Sequence, residues 1–231
     1  YKSPAEIALM QRANDITAAA YRASIAHLRA GMSQSEFRDI SVAAHRALGA
    51  EGAIWPVFGP STAYPHGSIN ETRLREGDMI VMDGSCTVDG YWSDISRSFV
   101  FGQPTQRMRD IWEIEQQAQH AAFEACQLGA PMEQVDAAAR RVITAAGLGP
   151  DYAVPGLPHR TGHGIGLEVH EWHNVVRGNK VPLAPGLCFS DEPMICIYGE
   201  FGIRLEDCIY MAQDGAHFFT QPSPSIEQPF A

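Results

Sequence analysis

The sequence lacks any apolar run close to the roughly 18 residues that a membrane-spanning helix needs, and its start shows no signal-peptide pattern. Cysteine is scarce. The five residues form no C-x-x-C pair, which is typical of reduced core thiols in a cytoplasmic protein. Positive charge is also scarce, with 17 Lys and Arg against 27 Asp and Glu. The net charge of −10 argues against nucleic acid as a partner.

Apolar residues are plentiful by comparison. They make up 45% of the 231 positions, which is enough for a sizeable core in one large domain or two small ones. The chain starts at Tyr1 and not at Met, which indicates a piece of a longer protein.

Two capping boxes, at residues 3–6 and 33–36, mark helix starts near the beginning of the chain. The apolar periodicity predicts that these helices run to Ala30 and Leu48, each followed by glycine. Short β-rich runs with more Gly and Pro follow, over about 54–101.

The same order recurs in the second half. Thr105 is a candidate cap for a helix that runs to Leu128, and a shorter helix is predicted from Met132 to Gly147. A second β-rich stretch reaches about Phe219. Each half is therefore predicted to be two helices followed by strands.

The glycines that end the helices support a duplication. Gly31 and Gly129 are 98 positions apart, as are Gly49 and Gly147. We interpret the chain as two α+β halves in one domain, with a site at the seam that takes residues from both. The alternative is coincidence, because glycine is common here, with 21 residues.

A predicted hairpin brings two aspartates together. Asp89 and Gly90 between β-rich runs are a strong turn signal. That turn pairs Asp83 with Ser96 and puts Asp94 on the same face as Asp83, with Cβ atoms roughly 7 Å apart or less. Such carboxylates repel each other unless a cation lies between them, and two divalent ions roughly 3.5–4 Å apart fit the gap. The alternative is a solvated pair.

The second candidate segment is rich in histidine and glycine. His159, His163 and His170 lie within twelve residues, with glycine at positions 162, 164 and 166. Glycine lets the backbone approach a ligand closely, and imidazole is both a metal ligand and a proton carrier near neutral pH. The spacing differs from an H-E-x-x-H zinc helix, and the glycines disfavour a helix. The alternative is a set of loop histidines satisfied by their surroundings.

Two glutamates complete the candidate site. Glu192 and Glu206 lie in apolar stretches predicted to be strands, and a buried carboxylate needs a partner or a metal. A symmetric loop over 199–202 would place them on opposite faces, so an odd loop or a bulge is required to bring them together. The alternative is two surface glutamates.

In order and spacing, five residues resemble those of the pita-bread metallopeptidases, which include Xaa-Pro dipeptidase (prolidase), aminopeptidase P and methionine aminopeptidase. The resemblance covers nearly the whole chain. It implies an α+β pita-bread fold, with duplicated helix-helix-strand halves around a curved antiparallel sheet, in a single catalytic domain over residues 1–231. The N-terminal domain usual in proline-specific members is expected to be absent. The five residues are Asp83, Asp94, His163, Glu192 and Glu206.

The resemblance also implies the role of each ligand. Asp83 would hold one of two divalent metal ions, and His163 and Glu192 the other. Asp94 and Glu206 would bridge both ions. Four carboxylates and one imidazole suit Mn²⁺ first, with Co²⁺ or Zn²⁺ as alternatives.

Four further residues match other parts of the family's site. His66, His159 and His170 match active-site histidines, with His66 and His170 as substrate contacts. Arg204 would orient the ligand carboxylates. After His170 many relatives have a proline-containing loop, whereas this chain reads Glu-Trp-His-Asn-Val-Val-Arg. Its arginine, Arg177, is the predicted binder of a substrate carboxylate.

The expected function is hydrolysis of the Xaa-Pro imide bond of dipeptides, since the segments around Asp94 and His170 resemble the proline-specific branch. A water bridging two ions can lose its proton near pH 7 and attack the scissile carbonyl. Glu192 would accept the proton, while His170 and His159 would donate hydrogen bonds to the oxyanion.

Alternatives remain open. The closest is aminopeptidase P, which removes the residue before proline from longer peptides. A metal-free pita-bread binding protein and a creatinase-like C–N hydrolase are more remote, because all five ligands are present. The expected partner is a small peptide with proline after the scissile bond, with no nucleic acid and no membrane. A homodimer is expected for the full-length protein, in the cytoplasm.

Overall fold

A computed structural model describes residues 1–230 of the chain. Four α-helices and a 3₁₀ helix lie within that range: α1 Pro4–Ile25, α2 Gln34–Ala47, the 3₁₀ helix Gly59–Ala63, α3 Gln106–Glu124 and α4 Met132–Ala145. The strands of the first half are β1 Glu51–Phe58, β2 Met79–Val88, β3 Tyr91–Trp92 and β4 Ile95–Val100. Those of the second half are β5 Gly162–Gly164, β6 Glu171–Val175, β7 Cys188–Asp191, β8 Met194–Ile197, β9 Phe201–Arg204, β10 Asp207–Ala212 and β11 Gly215–Phe218.

The predicted helix starts are confirmed. Ser3 and Ser33 each accept a hydrogen bond from the backbone N–H three residues later, and the glutamate there accepts one in return from the serine N–H. Thr105 caps α3 through its side chain. These caps satisfy backbone donors that the first turn of a helix leaves unpaired.

Two of the predicted helix ends are wrong. α1 ends at Ile25 and not at Ala30, and α3 ends at Glu124 and not at Leu128. In both places the chain leaves the helix in short turns, with backbone bonds between residues three apart or closer. The residues beyond each helix pair with distant backbone instead, so tertiary contacts override local helix propensity.

The duplication is visible in the backbone. The Gly31 N–H donates to the Leu74 carbonyl (2.7 Å) in the first half, and the Gly129 N–H donates to the Leu183 carbonyl (2.8 Å) in the second. Both glycines are left-handed, with φ of 83° and 82°. α2 and α4 each contain 14 residues. The predicted α+β class and the helix-helix-strand order of each half are confirmed.

Each half builds its own sheet. β1, β3 and β4 pair with β2 in the first half, and the second half has the order β11-β10-β7-β5-β6, with β8 and β9 as a separate pair. One apolar cluster contains Tyr21 and Phe37 from the first helix pair, and a larger one contains Trp112 and Ile143 from the second. The helices of each half therefore cover their own strands.

The halves meet at a short backbone bridge. The Ser96 N–H donates to the Glu206 carbonyl (3.2 Å), and the Glu206 N–H donates to the Ser96 carbonyl (3.1 Å). Ser98 extends the seam, because its hydroxyl bonds to the backbone of Arg204 on β9. Within residues 1–230, no helix has the length and apolar character that crossing a bilayer requires.

Candidate metal centre and active site

The aspartate hairpin forms as predicted. Asp89 and Gly90 make the turn with positive φ angles of 48° and 86°, and Asp83 pairs with Ser96 across β2 and β4. Asp94 lies just before β4 and is buried. The turn chemistry thus fixes the register that puts both aspartates on one side of the sheet.

The two glutamates also lie opposite each other. The β7–β10 and β8–β9 pairs share one register, and that register places Glu192 across from Glu206 in the gap between the two pairs. Residues 198–200 form the connection between β8 and β9, so the required odd loop is confirmed. Opposite residues of an antiparallel pair point to the same face, which directs both carboxylates to one site.

At the seam, these side chains converge with a histidine. One ligand atom from each of Asp94, His163 and Glu206 lies within 4.8 Å of the others. Nε2 of His163 is 3.6 Å from a carboxylate oxygen of Asp94 and 3.1 Å from one of Glu192. Four of the five predicted ligands, from both halves, are thus brought into one buried cluster. Asp83 is 43% exposed and bonds to Arg204.

Backbone and side-chain contacts on β5 and β7 fix the orientation of His163. Its Nδ1 lies 3.1 Å from the Gly164 carbonyl, an acceptor, so Nδ1 carries the proton of the neutral ring, and the Nε2 lone pair of that form faces the carboxylates. The backbone N–H of His163 donates to the Ser190 hydroxyl on β7. Gly162 permits this close approach, because a Cβ there would lie 1.9 Å from the Ser190 carbonyl oxygen.

The carboxyl groups of the cluster destabilise each other's ionised forms. Burial raises the pKa of Asp94 and of Glu206 well above the ordinary range, and repulsion from neighbouring carboxylates raises it further. Burial would also raise the pKa of Glu192, but a protonated His163, through its Nε2–H hydrogen bond and its charge, holds that pKa at about 2. Such a set is stable in its ionised form only when a cation compensates it.

The residues present fit divalent metal ions. A histidine whose Nδ1 donates to a carbonyl and whose Nε2 lone pair faces carboxylates has the arrangement usual for a metal-ligating imidazole. Carboxylate oxygens and one imidazole are hard to borderline donors, which suit Mn²⁺, Co²⁺ and Zn²⁺.

Arg204 holds the carboxylates that face it. Its Nη2 donates to Asp83 at 2.8 Å, and its Nε donates to the Ser96 hydroxyl at 2.9 Å. Ser96 in turn donates to Glu206 at 2.5 Å. Arg204 therefore orients one carboxylate directly and the other through a hydroxyl, in keeping with the role the resemblance implies.

The cluster opens into a cavity of about 650 Å³. Its wall includes the three predicted histidines, two tryptophans and two arginines: His66, His159, His170, Trp55, Trp92, Arg160 and Arg204. His170 lies edge to face with His163, with ring centroids 4.4 Å apart. The volume is sufficient for a small peptide.

His159 is oriented by its own backbone neighbour. Nδ1 lies 2.6 Å from the Arg160 carbonyl and must donate to it, while Nε2 is buried without a protein partner. Burial lowers the pKa of His159, which favours the neutral ring. Nε2 of the neutral ring accepts a hydrogen bond, and only the protonated ring can donate from it, so the predicted role as an oxyanion donor requires protonation and stays a prediction.

The sequence profile of metallopeptidase family M24 matches residues 8–213. The chain belongs to this family. It is 33% identical over 233 residues to the Xaa-Pro dipeptidase of Lactobacillus delbrueckii subsp. lactis, a match that covers 98% of this chain and 61% of the relative.

Two solved structures have the same M24 fold. The X-Pro aminopeptidase of Thermotoga maritima MSB8 is 30% identical, with a TM-score of 0.90 over 95% of this chain and 62% of that protein. The prolidase of Pyrococcus furiosus is 32% identical, with a TM-score of 0.88 over 95% and 65%. The predicted pita-bread fold is confirmed. The chain spans about three fifths of the length of the dipeptidase and aminopeptidase it matches.

The M24 chain does not bring Arg177 to the cavity, and that prediction needs correction. The loop after His170 was expected to fold over the site, but residues 171–175 form β6 and pair with β5. The strand carries Arg177 to the surface, where it pairs with Asp151 and is 61% exposed.

Three polar residues at the site went unassigned in the sequence. Ser96 and Ser190 bond to Glu206 and Glu192, but serine in a strand gives no signal of such a role. Arg160 lines the cavity. Its position between His159 and His163 was a usable signal, because neighbours of site residues in a glycine-rich segment tend to share the site.

Proposed function

We propose that the protein hydrolyses the Xaa-Pro bond of short peptides, with dipeptides as the preferred substrates, and that it does so with two divalent metal ions. The observation that carries the proposal is the convergence of Asp94, His163 and Glu206 within 4.8 Å at the seam of an M24 fold. The likeness to an Xaa-Pro dipeptidase and to a prolidase supports proline specificity.

The ligand assignment is part of the proposal. Asp83 would hold one ion, His163 and Glu192 would hold the other, and Asp94 and Glu206 would be shared between them. Bound there, the ions supply positive charge that polarises a carbonyl and acidifies water. Manganese is the proposed metal, because the carboxylate-rich set favours a hard cation.

Four residues of the chain are proposed to accept the proton or to contact the substrate. Glu192 is ionised, as a proton acceptor must be, and it faces the cluster from β7's end. His170 stands on the cavity wall without a hydrogen bond to the described part of the chain, so its ring is free to contact substrate. His66 also lines the wall, next to Asp83. His159 offers an acceptor at Nε2 for an N–H of the substrate.

Aminopeptidase P activity is the second candidate. The observation that favours it is the TM-score of 0.90 to an X-Pro aminopeptidase.

We propose a single catalytic domain over residues 1–231. We also propose a cytoplasmic location, and the five free, buried thiols support that location. The homodimer stays a prediction.

The test is an assay of the protein before and after chelation and reloading with Mn²⁺. We expect hydrolysis of Leu-Pro and little hydrolysis of Leu-Leu, with activity lost on chelation and restored by metal. Elemental analysis should find two ions per chain. A metal-loaded protein that cleaves no Xaa-Pro peptide would contradict the proposal, and so would a chelated protein that keeps its full rate.

A further inference from the structure

The cavity has two ends of different chemistry. One end continues into an apolar pocket of about 260 Å³ lined by Trp55, Val57, Tyr64 and Val81, beside the carboxylate of Asp83. The other end is the wall made by His159, Arg160, His163, Val169 and His170, none of which lines that pocket. A bound peptide therefore meets an apolar and acidic surface at one end and a different surface at the other.

Only one of the two cavity arginines has guanidinium nitrogens without any partner in the described chain. Arg204 donates to Ser96, to the Pro65 carbonyl (3.1 Å) and to Asp83. It is also 3.8 Å from Glu206. Each nitrogen of its guanidinium therefore already has a partner, and one of those partners is a candidate metal ligand.

Arg160 is different. Its Nη1 donates to Asn174 Oδ1 on β6 at 2.9 Å, which leaves Nη2 and Nε without partners in the described chain. No carboxylate within residues 1–230 pairs with it, and its side chain is half-buried at the cavity wall. A half-buried, anchored guanidinium with free donors that face a cavity is suited to bind an anion.

We propose that Arg160 is the specificity-determining residue that binds the free C-terminal carboxylate of an Xaa-Pro dipeptide. The inference rests on the proposed function. In a dipeptide, the carboxylate directly follows the proline, within reach of a residue on the cavity wall. A longer peptide has a neutral amide at that point, so it gains no ion pair from Arg160.

The position of Arg160 in the chain supports this role. It lies between His159, which lines the cavity, and His163, which belongs to the metal cluster. Asn174 anchors it from β6, the strand that begins directly after His170. The guanidinium is thus held relative to the residues that act on the scissile bond, as recognition of a group next to that bond requires.

The experiment compares Leu-Pro with its C-terminal amide in wild type, Arg160→Met and Arg177→Met. We expect Arg160→Met to lower kcat/KM for Leu-Pro by roughly 10- to 100-fold, the effect of losing a charged hydrogen-bonded pair. The amide should change by less than about threefold. Arg177→Met is the matched control and should leave both substrates unchanged. Asn174→Ala, which keeps the charge but removes its anchor, should give a smaller loss on Leu-Pro.

A binding measurement separates this inference from the proposed function. Calorimetry on the metal-loaded protein should show that wild type binds proline more tightly than prolinamide, and that Arg160→Met abolishes the difference. Equal losses on Leu-Pro and its amide would overturn the inference and leave Xaa-Pro cleavage standing. If wild type cleaves no Xaa-Pro peptide, the proposed function fails, whereas a proline preference that depends on Arg160 still supports the inference.

Discussion

His163 and His170 lie in contact, yet their surroundings give them different chemistry. His163 is buried, with Nδ1 bound to a backbone carbonyl and Nε2 directed at Asp94 and Glu192. His170 is exposed at the cavity wall. Partial desolvation by the wall, together with the nearby His163 and Arg160, lowers its pKa. These surroundings support the proposed division, in which His163 holds an ion and His170 contacts the substrate.

Alanine at each position should separate these roles. His163→Ala should lose bound metal, because it removes a ligand from the cluster. His170→Ala should keep its metal while kcat falls on the order of 100-fold or more, as for the loss of an oxyanion donor. Elemental analysis and steady-state kinetics on Leu-Pro measure the two effects. Normal turnover in a metal-loaded His170→Ala protein would refute its role.

Glu206→Gln tests the electrostatic account of the cluster. The loss of a ligand charge should abolish metal binding and activity. In the metal-free state the raised pKa of Glu206 means that folding at neutral pH must protonate this buried carboxyl. Glutamine avoids that cost, so the melting temperature should rise by a few degrees, equivalent to about 1 kcal/mol. Glu113→Gln on the exposed face of α3 is the control and should change neither property. If the metal-free Glu206→Gln protein melts at a lower temperature than metal-free wild type, the buried Glu206 carboxyl does not destabilise the fold.

At the residue scale, sequence patterns succeeded where local geometry decides the outcome. The Asp89 and Gly90 turn sets the register of Asp83, because side chains alternate along a strand. They failed for Arg177, since the path of the chain after His170 depends on strand pairing with β5. The tautomer of His159 could not be predicted from the sequence either, because its contact with the Arg160 carbonyl determines it.

Among the elements, the segment before α1 has a role in holding the histidine loop. Lys2 donates to Glu171, and the backbone N–H of Lys2 donates to the Gly186 carbonyl at 2.7 Å. Glu171 also accepts from the Leu167 N–H at 2.8 Å. The Lys2 side chain is only 11% exposed and packs on Gly166, where a Cβ would lie 2.4 Å from it. This pair closes the loop that carries His170.

Lys2→Met should therefore act through His170. We expect kcat to fall about tenfold with bound metal unchanged, because a misplaced catalytic group loses its orientation. In a His170→Ala background the same change should have little further effect, as coupled residues are not additive. Hydrogen exchange at Leu167 should become faster. Lys180→Met, at an exposed position, is the control. Fully additive losses would mean that Lys2 acts on stability alone.

The elements themselves were largely predictable. Capping boxes and helix-ending glycines carry their signal within a few residues, which is why α2 and α4 were found close to their observed bounds. The ends of α1 and α3 were not, because they depend on pairing with backbone near Leu74 and Leu183. The Lys2 and Glu171 pair joins residues 169 positions apart and leaves no local pattern.

On the scale of the whole molecule, a buried ion pair fastens the two halves together. Arg97 on β4 and Asp207 on β10 are both fully buried, with Nη2 donating at 2.7 Å. Arg97 also donates to the carbonyls of Glu206, Gln221 and Pro229. The guanidinium thus connects the first-half sheet, the second-half sheet and the end of the chain.

Arg97→Met should lower the free energy of unfolding by about 3–5 kcal/mol, because it leaves the charge of Asp207 buried without its partner. Arg107→Met is the control, since Arg107 and Glu200 form an exposed pair worth no more than about 1 kcal/mol. Urea unfolding of the metal-free proteins measures both. Equal effects of the two changes would contradict the structural role of Arg97.

The bridge between Ser96 and Glu206 lies at the candidate metal centre, so this centre is complete only when both halves are folded and joined. Two of the proposed ligands come from the first half and three from the second, so a protein with only one half folded presents an incomplete coordination sphere. Separation of the halves would therefore release the ions. The amount of tightly bound metal in a metal-loaded preparation would accordingly measure the fraction of molecules in which both halves are folded and joined. Molecules in which only one half is folded would not contribute to it.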